Sequence, residues 1–232
     1  MATPPTFVAE YETAWNSTTT PKTTANFNVL SGDKLVAYAV SEYHENTIAT
    51  PPGGTLAGTW VLQQTIYVSN YTYVRLWTMV VGSDQNGINV SFTRSAGAGY
   101  FGGNVLHFRN SNGIGVTNQA NAASGDPAVT LNSVSANSAI VMVIGDWNAI
   151  AGAQVANESI GSFVELTTYE GDGLHYGVYG GYYSDVGAAG NKTIGQTDPN
   201  GLQWAIVAIE VLGTVGGLSI PVAMAHYRQR SN

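Results

Sequence analysis

The chain has no cysteine in its 232 residues. Disulfides and cysteine-ligated metals are excluded, and so is a small disulfide-framed secreted domain. Nothing follows about redox compartment, because a chain without thiols is compatible with any. Charge is the second shortage. Only 10% of residues are charged, against ~25% in an ordinary soluble domain. Lys and Arg together number eight, and the net charge is −7. So few cations build no large basic patch, so no nucleic-acid partner held through its phosphates is expected. The surface has to be covered by Ser, Thr, Asn, Gln and Gly. Such a surface loses little side-chain entropy when it packs against a neighbour. That suits a protein in lasting contact with copies of itself or with partners.

Two further signals are missing. Met1 to Phe7 has no basic region and no long apolar run, so no secretory leader is expected. Trp204 to Leu212 is interrupted by Glu210 and is too short to span a bilayer, so no membrane insertion is expected. A sustained helical period is absent as well.

Short apolar and alternating segments are what the chain does contain. Leu35 to Val40, Trp60 to Gln64, Tyr71 to Val81 and Val105 to Arg109 read as strands. Ile88, Val90 and Phe92 alternate with Asn89 and Ser91 after the turn pair Asn86-Gly87. In the second half Ala139 to Ile144 is the most apolar run and reads as a central strand. Phe163 to Tyr169 alternates, with Phe163, Glu165, Thr167 and Tyr169 on one face. Leu174 to Tyr183 reads as a Gly/Tyr-rich strand or loop, and Leu202 to Leu212 closes the set. One short helix is expected over Trp147 to Ala156, opened by Asp146 as its cap.

Strands separated by Gly, Asn and Asp turns argue for an all-β, antiparallel two-sheet sandwich resembling a jelly roll. A chain this long buries about 70% of its unfolded surface, so the core needs no staple. Residues 1–212 are expected to form the sandwich, with Met1 to Pro5 lying outside the compact core. The glycines at 213, 216 and 217 mark a boundary, and 213–232 reads as a C-terminal extended arm. Leu218, Ile220, Val222 and Tyr227 make the arm too apolar for a free tail. It is either an extra strand on its own domain or a strand added to a neighbouring subunit.

Residues 169–183 hold five of the thirteen tyrosines, interleaved with glycine. Tyr supplies rigid amphipathic area and Gly lets the backbone fit, the composition of adaptable contact surfaces. Tyr176, Tyr179, Tyr182, Tyr183 and His175 are therefore the candidate contact residues, for a partner or for stacking on sugar rings. The other reading is a Gly-bent strand whose tyrosines cover a sheet face.

Chemistry is harder to find. His44, His107, His175 and His226 sit in no ligand spacing, and no G-x-S-x-G elbow or calcium loop is present. Glu42-Tyr43-His44-Glu45 reads as a solvated loop. Asp146 beside Trp147 is either the helix cap or an acid of raised pKa. Glu165 with Glu170 or Asp172 would be the carboxylate pair of a glycosidase, but nothing in the sequence pairs them. No catalytic role, metal or cofactor is expected.

One resemblance rests on the order of these pieces. Phe27-Asn28-Val29 and Ser31-Gly32-Asp33-Lys34-Leu35-Val36 open it. Thr59-Trp60, Tyr73 to Trp77, Val105 to Arg109 and Ala139 to Asn148 continue it. Tyr183 to Gly190 and Trp204-Ala205-Ile206 close it. Over roughly residues 5–212 this is similar to the minor tail proteins of phages of actinobacteria. The resemblance implies a virion structural protein with an adhesive or assembly role, made in the host cytoplasm without a signal peptide and released by lysis. Its partners would be itself, as a homo-oligomer and among other forms a trimer, and other virion proteins. Two alternatives stay open: a capsid decoration protein on the head surface, and a carbohydrate-binding module recognising host cell-wall glycan.

Overall fold

A computed structural model describes residues 3–43, 52–94, 97, 99–147, 154–170, 176–198 and 201–214. The first half supplies β1 (Thr6–Glu12), β2 (Lys22–Thr23), β3 (Phe27–Val29), β4 (Lys34–Glu42), β5 (Gly53–Gly54), β6 (Val61–Val68), β7 (Thr72–Val80), β8 (Gln85–Ile88), β9 (Val90–Phe92) and β10 (Phe101–Arg109). The second supplies β11 (Gly113–Ala122), β12 (Ala128–Ser133), β13 (Ala139–Trp147), β14 (Val155–Ala156), β15 (Phe163–Tyr169), β16 (Tyr176–Tyr183), β17 (Gly190–Asp198) and β18 (Trp204–Leu212). The expected all-β antiparallel sandwich is what forms, and no helix occurs among the described residues. The helix expected after Asp146 is corrected in part: β13 runs through Trp147 and β14 holds Val155–Ala156, while 148–153 lie outside the described residues.

The strand order holds a repeat that the sequence does not announce. Two five-stranded sheets run β1-β10-β4-β7-β6 and β11-β18-β13-β16-β15. Two three-stranded sheets run β2-β9-β5 and β12-β17-β14. Match the two halves in chain order and each strand of the second finds its counterpart in the first. The first half adds only β3 and β8, which pair with each other. Register breaks recur at matching places. β1–β10 shifts between Phe7 and Ala9, and β11–β18 between Ile114 and Thr117. β6–β7 shifts between Leu62 and Gln64, and β15–β16 between Glu165 and Thr167. The chain is one eight-strand plan built twice.

The plan explains the near-continuous apolar runs. Side chains of successive strand residues point to opposite faces. In β4, Val36, Tyr38 and Val40 join β7 and β10 against Val141, Val143, Val207 and Ile209 of the other half. Leu35, Ala37 and Ala39 point the other way, onto Phe92 and Val90 of the small sheet. The second half mirrors this: Ile140, Met142 and Ile144 pack under Leu131 and Ile194. The large sheets therefore meet face to face, each small sheet covers an outer face, and three apolar layers separate four layers of strand. A strand with both faces covered has no polar side to alternate.

One polar network crosses the central layer. The Tyr38 hydroxyl and Thr167 Oγ1 lie 2.6 Å apart. Asn104 Nδ2 donates to Thr167 Oγ1 at 2.9 Å and to Glu10 at 2.9 Å. The network ties β4 and β10 of the first half to β15 of the second. Burial raises the Tyr38 hydroxyl pKa far out of reach, so it stays a neutral donor and acceptor. Tyr38→Phe strands Thr167 and Asn104 beside an apolar ring. The expected loss is about 1–2 kcal/mol in chemical denaturation.

Both chain ends of the sandwich are clasped. Thr3 N donates to Thr214 O at 3.2 Å, and Thr214 N to Thr3 O at 2.9 Å. Pro5 is buried. Pro5, expected outside the compact core, is thus buried in it, while Thr3 is tied to Thr214 at the surface. The arm residues Leu218, Ile220, Val222 and Tyr227 lie outside the described residues.

Candidate functional site

The four tyrosines of β16 do not form an exposed contact surface. β16 lies between β13 and β15, so both of its faces are covered. Tyr176 and Tyr182 enter the central apolar layer, while Tyr179 and Tyr183 enter the outer layer of the second half. All four are buried. His175 lies outside the described residues. The interleaved glycines make room for rings. A Cβ on Gly180 would sit 2.7 Å from the Tyr38 hydroxyl, and one on Gly181 would sit 2.7 Å from the Phe163 ring. What the composition announced as adaptability is close packing.

The acidic candidates are also redistributed. Phe163 packs on the outer layer and Tyr169 on the central one, because the bulge after Glu165 reverses the alternation. Glu165 lines a pocket of about 310 Å³ with Glu158, Phe163 and Tyr179. Glu170 is exposed and Asp172 lies outside the described residues. Glu42 is not in a solvated loop: it ends β4, is buried, and accepts the Tyr100 amide at 2.9 Å. His44 and Glu45 lie outside the described residues. Asp146 is a strand residue rather than a cap, and burial pushes its carboxyl up to about 7 against a bond from the Gly177 amide.

Two polar clusters were not legible in advance. His107 Nε2 lies 2.5 Å from Asp33 Oδ2, and Arg109 Nε donates to Asp33 Oδ1 at 3.0 Å. Burial would raise the Asp33 carboxyl, but the Leu30 amide, Arg109 and His107 outweigh it and hold it below its usual value. Burial lowers the His107 pKa against the opposing pull of Asp33. His107 is fully buried and Asp33 nearly so, and this carboxylate–imidazole pair fastens the turn before β4 to β10. Lys22 is the second case. Its amine donates to Ala14 O and Phe101 O, and it lies 4.9 Å from the centre of the Phe101 ring. Burial, and secondarily Arg94, bring its pKa down to about 8. Both of those donations go to main-chain carbonyls. Among the described residues no three His, Asp or Glu gather to hold a metal ion.

The accessible candidate lies where the two halves meet. β6 is one edge of the first large sheet and β11 one edge of the second. Ala120 and Ala122 pack on the outer layer of the second half, so Gln119 and Asn121 point the other way. Asn121 Nδ2 donates to Tyr67 O at 2.6 Å, which stitches the two edges together. Beside the stitch an open groove of about 590 Å³ is lined by residues 65–69 and by Gln119, Asn121, Ala122 and Ala123. No charged side chain lines it. Tyr67 is 49% exposed, and its ring stacks on Tyr73 with centroids 6.5 Å apart. Gln119 Oε1 is buried without a hydrogen-bond partner among the described residues.

No protein family, characterised protein or solved structure matches this chain. Its function is therefore argued from its own side chains. The groove's lining is uncharged, and its Thr65 Oγ1 and Gln119 Oε1 are buried. Sequence alone did not single it out, because β6 and β11 are about fifty residues apart and each reads as an ordinary strand.

Proposed function

We propose that the chain is a phage virion structural protein, a minor tail protein with an adhesive or assembly role rather than an enzyme. The observation that carries this reading is the apolar edge at β6 and β7. Val61 is 52% exposed and Val80 57%, with Leu62 beside them. Edge strands of lone proteins are usually guarded by charge, Pro or a bulge. Here one bulge is present, yet the strand end beyond it is apolar and uncharged. A surface of this kind suits a neighbour that covers it. We read the eight-strand plan of each half as a jelly roll, an architecture that also serves viral capsid and lectin domains. That is an argument from fold, and fold alone does not give function.

The same edge supports the second reading, a decoration protein on the capsid. Immunogold labelling of purified particles separates the two. Label on tails is the expected result, and label on heads favours decoration. Particles that lack the protein altogether overturn both. The edge itself has a solution test. Wild-type protein is expected to sediment as a homo-oligomer, and Val61→Lys with Val80→Lys as a monomer. Both sites are surface positions, so stability should move by no more than about 0.5 kcal/mol. A monomeric wild type removes this support.

A further inference from the structure

We infer that the apolar edge at β6 is covered by residues 218–224 of a second copy of this chain, added as a further strand to the first large sheet. The inference rests on the assembly reading above and names the contact that reading needs.

The seat comes first. Among the described residues, no main-chain hydrogen bond joins residues 61–64 to any strand but β7. Their outward N–H and C=O groups are therefore open to another strand. Val61 pairs with Thr78, and Val80 stands two residues beyond Thr78, so the two exposed valines are diagonal neighbours on one face. That face is the central one, because Val74 and Leu76 of the same strand alternate onto it. Leu62, also exposed, pairs with Trp77 and takes the outer face. The start of β6 is thus apolar on both faces, and no described residue covers it.

The occupant follows from the sequence beyond Thr214. Leu218, Ile220, Val222 and Met224 alternate with Ser219, Pro221, Ala223 and Ala225. That is the period of a strand with one apolar face. Pro221 fits one seat only. It cannot donate to a ladder, so it belongs on an edge strand with its nitrogen turned outward. The even-numbered residues then turn their main-chain groups to β6, and their side chains extend the face of Val61 and Val80. Pro221 on the new edge offers no donor, which discourages a further strand from adding.

Direction decides that the strand comes from a neighbour. Thr214 lines a cavity of about 340 Å³ with Leu30, Gly32, Asp33 and Arg109, at the end of the sheet where β6 begins. From β10 to β6 is three strand spacings, about 14 Å. The four steps from Thr214 to Leu218 span about 14 Å at full stretch. An arm laid on its own chain has nothing left to turn round with, so it enters beside Val61 and runs parallel to β6. Every strand pair described in this molecule is antiparallel. A neighbour's arm arrives from outside and can run antiparallel. Charge favours the encounter. Arg228 and Arg230 follow the segment, and residues 213–232 hold no acid. The rest of the chain keeps six cations against fifteen acids, net −9, so it attracts the arm of another copy.

The test uses two full-length variants and sedimentation velocity. Ile220→Asp with Val222→Asp spoils the arm, and Val61→Lys with Val80→Lys spoils the seat. Each is expected to weaken self-association by roughly a hundredfold or more, because a charge is forced into an apolar contact. Both are expected to melt within a few degrees of wild type. Mixing the two monomeric variants is expected to restore a mixed dimer, since one chain supplies an intact seat and the other an intact arm. An arm variant that assembles as wild type does overturns the inference and leaves the assembly reading standing. A mixture that stays monomeric overturns the exchange between copies. A monomeric wild type overturns the inference together with the reading it rests on.

Discussion

Glu210→Ala is expected to destabilise the protein by about 4 kcal/mol or more and to lower its melting midpoint by roughly 8–16 °C. Glu210 sits in β18 with no exposed surface. Its Oε1 accepts the Ser133 hydroxyl at 2.6 Å and the Ser135 amide at 3.3 Å. Its Oε2 accepts the amides of Val134 and Val116 at 3.2 and 3.3 Å. One carboxylate therefore fastens the bulge of β11 and the connection from β12 to β13. Alanine removes the acceptor from four donors at once and leaves a hollow, and each orphaned buried donor costs about 1–3 kcal/mol. Glu210→Gln keeps one acceptor but turns an N–H₂ toward backbone amides, so it should fall between the two.

The same residue sets an acid limb. Burial raises the Glu210 carboxyl, but bonds from Ser133, Ser138, Val134 and Val116 outweigh it and the net is below its usual value. A depressed carboxyl contributes stability above its unfolded value of 4.5 and loses it as pH falls through the folded value. Wild type should thus lose stability below pH 4.5, and Glu210→Gln should flatten that loss. Urea denaturation at a series of acid pH values reads both.

Asp146→Asn is expected to act in the opposite direction, stabilising the protein by about 4 kcal/mol at pH 8 and by little at pH 4. The carboxyl rises from 3.8 to about 7, chiefly through burial. Its Oδ1 has no hydrogen-bond partner among the described residues. The folded state holds the proton that the unfolded state releases. Stability from this group is therefore complete below pH 3.8, falls as pH rises, and is gone above about 7. About three pH units at 1.36 kcal/mol each give the magnitude. Asparagine resembles the protonated acid in shape and never ionises. Wild type and variant are compared by urea denaturation at both pH values; equal stability at pH 8 refutes the assignment.

Those two acids also mark how far the sequence could be read. β4, β7, β10, β13 and β18 were visible as apolar runs because each is buried on both faces. Glu210 was visible only as an interruption in such a run. Its partners stand from 75 to 94 residues earlier and no spacing connects them. Asp146 reads locally as a cap or as an acid of raised pKa, and only tertiary burial decides for the acid. The tyrosines of β16 misled for a related reason: composition reports what a segment can do in water and is silent on whether water reaches it. β2, β5 and β14 span two residues each, too short for any period to register. The repeat stayed hidden because it lives in strand order and bulge position, while the residues filling the two copies differ.

That repeat bears on how the chain is made. In each copy the last strand is inserted next to the first: β10 between β1 and β4, β18 between β11 and β13. A nascent chain can close its leading copy once Arg109 has left the ribosome. The leading copy then presents Val36, Val74, Leu106 and their neighbours to water until β18 emerges. At about 5–20 residues per second, the trailing copy takes roughly 5–20 s to be synthesised. For that interval a broad greasy sheet face stands open to water. Slow translation or a truncated message should therefore yield inclusion bodies rather than a soluble half-protein, unless a chaperone holds the face shut.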